Sequence, residues 1–99
     1  MKTTINEEGG KIVATFEGRL DTAAAVICAK EVEPLNNTDK DVVLDCSGLS
    51  YISSSGLRIF LNIRKNAATK GIKVTVMHIN DDIRKVFQMT GFMSLFEIV

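Results

Sequence analysis

The sequence predicts a small α/β domain built around a mixed β-sheet, in one domain over residues 1–99. Segments with the period-two alternation of strands are followed by segments with helical spacing, and the two kinds alternate along the chain. The chain has 99 residues, of which 45% are hydrophobic. This content is enough for one core and is too apolar for a disordered segment.

The first two strands are predicted to pair as a hairpin. Residues 3–7 are typical of a short strand, and the turn signal at residues 8–10 separates them from a second strand over residues 11–18. In the second strand Ile12, Ala14 and Phe16 share one face, which is typical of a strand with one buried side. The hairpin gives the sheet an antiparallel edge.

The rest of the chain alternates helices with strands. Helices are predicted over residues 23–32, 54–69 and 80–90, and strands over 41–45, 72–77 and 95–99. The apolar run in the first of these strands indicates a strand covered on both faces. Helices that alternate with strands imply parallel βαβ pairs joined by right-handed crossovers.

Composition disfavours several classes of partner. Twelve basic and twelve acidic residues cancel, so neither nucleic acid nor an anionic membrane surface attracts the chain electrostatically. No apolar run approaches the roughly 20 residues of a membrane span. The polar N-terminus does not resemble a signal peptide, so we expect a cytoplasmic protein. Cys28 and Cys46 are far apart in sequence and are expected to be buried, free thiols.

Enzyme motifs are missing as well. The sequence contains no GxGxxG, GxxxxGK[ST] or GxSxG motif and no group of residues with zinc spacing. The single histidine, His78, is expected to be structural, and Asp81 and Asp82 are expected to start a helix rather than to bind a metal. We therefore predict no enzymatic activity, no metal and no cofactor.

The most informative segment is LDCSGLSYISSSGL, at residues 44–57. A strand is predicted to end near Asp45, and a loop with Leu49 and Ile52 as buried anchors leads to three serines at a helix start. A helix N-terminus has unpaired N–H groups and a partial positive charge, so the fold tolerates a phosphate there. Two interpretations are open: the serines only cap the helix, or one of them is phosphorylated.

A candidate binding surface surrounds these serines. Gly56 removes side-chain bulk beside them, so we expect Gly56→Val to damage binding more than folding. Leu57 and Leu61 lie at the edge of the apolar face and belong either to the core or to a partner contact. Asp21 and Thr22 either cap the first helix or join the surface, because their loop lies at the same rim of the sheet. The candidate partner-binding residues are Asp21, Thr22, Ser53, Ser54, Ser55, Gly56, Leu57, Arg58 and Leu61.

Residues 44–57 closely resemble the signature of the anti-sigma-factor antagonists, a family of small STAS-domain proteins. Residues 18–22 resemble the family segment before the first helix, and residues 86–92 resemble its closing helix and glycine turn. The resemblance implies a STAS fold and a partner switch. In this family the unphosphorylated protein binds an anti-sigma factor that is also a serine kinase, phosphorylation releases it, and a serine phosphatase resets the switch.

Aligned on Gly56, the resemblance implies that Ser54 is the acceptor, with Ser53 and Ser55 as rivals. The family usually has aspartate immediately before the acceptor, and this chain has Ser53 there. This departure keeps a second function open, a STAS docking subunit of a lipid-transport or other signalling complex that is never phosphorylated. A third, a small-molecule or nucleotide binder at the helix N-terminus, lacks a glycine-rich phosphate loop. The free protein is expected to be a monomer.

Overall fold

Five strands form one mixed sheet, in which their spatial order is the same as their order along the chain. In the computed structural model, which describes all 99 residues, these are β1 (Lys2–Glu8), β2 (Lys11–Leu20), β3 (Asp41–Ile52), β4 (Val74–Met77) and β5 (Glu97–Ile98). The first pair is antiparallel and the other neighbours are parallel. The predicted mixed sheet, with its N-terminal hairpin and βαβ crossovers, is therefore confirmed.

Four helices connect the parallel strands. They are α1 (Thr22–Glu31), α2 (Glu33–Asn36), α3 (Ser54–Thr69) and α4 (Asp81–Thr90), with a 3-10 turn at Phe92–Ser94 before β5. Asp21 caps α1 by accepting the backbone N–H of Ala24 at 2.8 Å, as the sequence predicts. Gly91 ends α4 with a φ of 79°, a left-handed conformation that suits glycine. None of the helices has the length and apolarity to cross a membrane.

The helices pack on one face of the sheet, because successive right-handed crossovers all run in the same direction along the strand order. Phe16 on β2, Phe60 on α3 and Phe87 on α4 join the layers, with ring centroids 5.3 and 6.4 Å apart. Both cysteines are free and buried. Burial raises the pKa of Cys46 to about 12, so its thiol is not a nucleophile at neutral pH.

β3 differs from the prediction in its length. It continues as a strand to Ile52, where the sequence predicts a loop, because β2 runs beside it to Leu20 through two register shifts. Leu49 and Ile52 are nevertheless buried, as expected of the predicted anchors. Val42, Val43 and Leu44 are all buried, as predicted for a strand covered on both faces, although Val43 lies outside the main core.

Candidate phosphorylation and partner-binding site

The serine run lies at the junction between β3 and α3. Ser53 is the N-cap of α3, and its side-chain oxygen accepts the backbone N–H of Gly56 at 3.2 Å. Its own backbone N–H donates to the carbonyl of Leu20 at 2.9 Å, which ties the serine run to the end of β2. Ser53 is only 8% exposed. Its hydroxyl oxygen is therefore both enclosed and engaged in capping.

Ser54 and Ser55 are the first two residues of α3 and differ in exposure. Ser54 is exposed and Ser55 is half-buried. The cap made by Ser53 is the only side-chain hydrogen bond in the run, so the other two hydroxyls have no partner within the protein. No acidic side chain lies in the first turn of α3. Ser54 therefore presents a free hydroxyl to solvent at the positive end of a 16-residue helix.

Gly56 has a packing role that the sequence analysis missed. It is buried, and a Cβ atom added to it would lie 2.7 Å from Cγ of Leu20 and 2.9 Å from Cγ1 of Ile52. The glycine lets α3 pack closely on the ends of β2 and β3. The prediction that Gly56 leaves open space for a partner is therefore wrong, because Leu20 and Ile52 occupy that space, and we now expect Gly56→Val to damage folding.

The remaining candidates divide between core and surface. Leu57 is buried at 8% exposure and Leu61 is half-buried against the core, so the core alternative holds for Leu57. Asp21 is half-buried as the cap of α1, whereas Thr22 and Arg58 are exposed. Thr22 at the start of α1 and Ser55 at the start of α3 line the same groove, so the two helix starts lie at one rim of the sheet, as the sequence predicts.

An open groove between α1 and α3 begins beside the serines and has a volume of about 270 Å³. Its lining residues are Thr22, Ala25, Val26, Ala29, Ser55, Arg58, Ile59 and Asn62. Val26 and Ile27 on α1 are 64% and 63% exposed, and sequence analysis missed both. Ala29, which also lines the groove, is exposed as well. Because α1 is alanine-rich and apolar on most sides, its periodicity does not reveal which face is buried.

The single histidine, His78, forms a hydrogen bond with Asp45 and with none of the serines. His78 has a φ of 62°, and its Nδ1 lies 3.2 Å from Oδ1 of Asp45. Partial burial opposes ionisation of Asp45, but hydrogen bonds from the Ser47 backbone and from His78 outweigh it and hold the carboxyl pKa below its usual value. No serine hydroxyl bonds to His78, so these residues do not form a Ser–His–Asp triad. The pair connects the middle of β3 to the residue that follows β4.

The Ser53 cap leads to a stability prediction. We expect Ser53→Ala to lower the free energy of unfolding by about 0.5–2 kcal/mol, because alanine cannot accept the N–H of Gly56. Ser53→Asp should retain stability, because aspartate caps helices as well as serine does. Urea unfolding followed by circular dichroism measures both variants. Equal stability of the alanine variant and the parent would show that the cap contributes nothing.

Comparisons of sequence identify the family. Residues 2–99 match the model of the STAS domain. The protein BtrV of Bordetella bronchiseptica, named as an anti-sigma factor antagonist, is 30% identical over 99% of this chain and 85% of its own length. The anti-sigma-B factor antagonist of Bacillus subtilis is 20% identical over 95% of this chain and 86% of its own length.

Solved structures share the fold. An anti-sigma factor antagonist from Mycobacterium paratuberculosis superposes with a TM-score of 0.88 at 18% identity, over 98% of this chain and 83% of that one. The Bacillus cell fate determinant SpoIIAA in its phosphorylated form gives a TM-score of 0.75 at 17% identity, over 99% of this chain and 91% of that one. The chain therefore belongs to the STAS domain family, with anti-sigma factor antagonists among its relatives.

Proposed function

We propose that this chain is an anti-sigma factor antagonist that acts as a phosphorylation-controlled binding switch and not as an enzyme. In its unphosphorylated form it binds an anti-sigma factor with serine kinase activity, and this binding frees a sigma factor. In its phosphorylated form it releases the anti-sigma factor. The observation that carries this proposal is the free, exposed Ser54 hydroxyl at the start of α3, in a chain whose relatives are named for this role.

Geometry favours Ser54 over its two neighbours as the acceptor. A kinase that modified Ser53 would first have to break the cap of α3, and Ser55 is half-buried at the groove. The departure from the family pattern also has a physical explanation, because serine and aspartate are comparable N-caps. Ser53 therefore keeps the capping role, which supports carrying the acceptor over to Ser54. SpoIIAA, which has the same fold, is phosphorylated in one of its structures.

The charge of the phosphate explains why phosphorylation would release the partner. Phosphoserine adds about −1.5 to −2 charges, which must be desolvated or repelled when a partner covers Ser54. Mismatched charge at an interface costs several kcal/mol, and each ~1.4 kcal/mol is about tenfold in affinity, so we expect a loss of about a hundredfold or more. The fold itself favours the charge, because negative groups stabilise the first turn of a helix by about 0.3–1 kcal/mol. The domain need not change shape to release its partner.

The proposal also includes the two enzymes that add and remove the phosphate. An ATP-dependent kinase and a serine phosphatase act on the switch in the cytoplasm, and the free antagonist is a monomer. The two opposing enzymes set the fraction of antagonist that is free to bind. This fraction determines how much of the anti-sigma factor is held away from its sigma factor.

Phosphosite mapping tests the proposal. The protein is incubated with ATP and each purified serine-kinase anti-sigma factor of the same genome, and its intact mass and phosphopeptides are measured. We expect one phosphate on Ser54 in the parent, none in Ser54→Ala and one in the Ser53→Ala control. If Ser54→Ala is phosphorylated as readily as the parent, the acceptor is another residue. If the parent binds and is never modified, the chain is a docking subunit.

A further inference from the structure

The groove between α1 and α3 has an apolar floor that continues onto the outside of α1. Ala25 and Ile59 form buried parts of the floor, and Val26 forms a largely exposed rim. Ile27 follows Val26 and is equally exposed, and Ala23 lies one turn before both of them. An apolar strip next to a concave groove is typical of a protein-binding surface.

One charged side chain lies on this groove. Arg58 is exposed, and none of the three ion pairs of the protein includes it. The other lining residues are small, apolar or neutral polar, so no acidic side chain of the groove balances Arg58. A guanidinium presents a planar fork of donors that fits a carboxylate. The charge pattern therefore favours an occupant that carries a carboxylate next to an apolar side chain.

The same pattern disfavours a second copy of the chain as the occupant. In a twofold dimer that joins two such grooves, the same patch lies on both sides of the interface. Both copies of Arg58 would then lie in the interface, and the groove supplies no acidic side chain to balance either cation. Like charges placed together at an interface are unfavourable.

We infer that this groove is the docking site of the anti-sigma factor. It accepts a segment that inserts an apolar side chain between α1 and α3 and places a carboxylate on Arg58. The inference rests on the proposed function and adds the surface and the chemistry of recognition. The groove begins at Ser55 and Thr22, beside the proposed acceptor, so a partner that reaches Ser54 also covers it.

Arg58 also connects docking to phosphorylation. Ser54 and Arg58 are four residues apart on α3, a spacing that makes them neighbours on the helix surface. A phosphate on Ser54 therefore lies within reach of the guanidinium of the same chain, and such pairs are strong. Phosphorylation then withdraws Arg58 from the carboxylate of the partner, in addition to placing a charge in the interface.

Paired substitutions test the docking surface. Calorimetric titration with a purified anti-sigma factor that binds the parent should show binding at least about tenfold weaker for Val26→Asp and for Arg58→Glu, because each removes a matched contact. The controls are Met89→Asp and Lys85→Glu on α4, which make the same changes at exposed positions outside the groove. We expect the controls to bind within about twofold of the parent. Circular dichroism checks that all four variants fold, with Val26→Ser replacing Val26→Asp if the latter does not.

The outcomes separate the two proposals. If the parent binds no serine-kinase anti-sigma factor, the proposed function fails. If the parent binds and the groove variants bind equally well, only the docking site is wrong. Sedimentation of the chain alone tests whether a second copy of the chain occupies the groove. A parent dimer that Val26→Asp dissociates would assign the groove to self-association and overturn the inference.

Phosphorus NMR tests the link between Arg58 and the phosphate. The second pKa of phosphoserine, near 6 in the absence of neighbours, should be lower in the phosphorylated parent than in phosphorylated Arg58→Ala, because the cation stabilises the dianion. If Arg58 had only a structural role, its substitution would not change this pKa. Identical titration curves would show that the internal pair does not form.

Discussion

Ser54→Asp is expected to fold like the parent and to bind its anti-sigma factor about tenfold to a hundredfold more weakly. The fold should tolerate the substitution, because Ser54 is exposed and a negative charge favours the first turn of α3. Binding should suffer because the carboxylate must be buried against the partner and competes for Arg58. One carboxylate has less charge and bulk than a phosphate, so the loss should be smaller than that caused by phosphorylation.

A matched control tests whether the loss of binding depends on where the negative charge is added. Ser50→Asp adds the same charge on β3, where Ser50 is exposed, lies outside the groove and donates only to the carbonyl of Gly18. We expect this variant to bind close to the parent. Ser54→Ala should also bind like the parent, because it removes the acceptor without adding charge. If Ser54→Asp and Ser50→Asp bind equally, Ser54 does not lie in the interface.

Gly56→Val should destabilise the fold by about 1–3 kcal/mol or more, because overpacking displaces neighbouring groups. The added Cβ would lie 2.7 Å from a side-chain carbon of Leu20, and the two further methyl groups of valine enlarge the clash. Urea unfolding measures the loss. The control is Ala68→Val, an exposed position of the same helix, where we expect about 0.5 kcal/mol or less from helix propensity.

The Gly56 experiment also discriminates between the two explanations of this glycine. If Gly56→Val unfolds at the parental urea midpoint and loses only binding, Gly56 serves partner access and the close packing of α3 on β2 is wrong. If the midpoint falls and Ala68→Val remains near the parent, the glycine is structural. Binding of the destabilised variant is then measured below its unfolding temperature.

Local sequence signals predict the helices better than they predict β3. The bounds of α3 agree with the sequence because a serine cap precedes the helix and Gly71 follows it. Residues 46–52, by contrast, contain a glycine and two serines, which are typical of a loop. Their pairing with β2 is a long-range contact, which no local sequence pattern predicts. Gly48 fits this pairing, since a Cβ there would lie 2.9 Å from Cγ of Glu17.

The candidate site was predicted in part. The serine run is visible in the sequence because serines at a helix start have a local meaning, and the signature then singles out Ser54. The role of Gly56 is not visible, because a glycine can serve either open access or close packing, and only the position of Leu20 decides between them. The groove depends on how α1 lies against α3, and an alanine-rich helix gives no amphipathic signal for this.

The most direct test of the switch is one pair of calorimetric titrations. A purified serine-kinase anti-sigma factor of the same genome is titrated with the unphosphorylated protein and with the same protein phosphorylated to one phosphate per chain. The account predicts saturable binding of the first form and an affinity at least about a hundredfold lower for the second. Equal affinities of the two forms would contradict it.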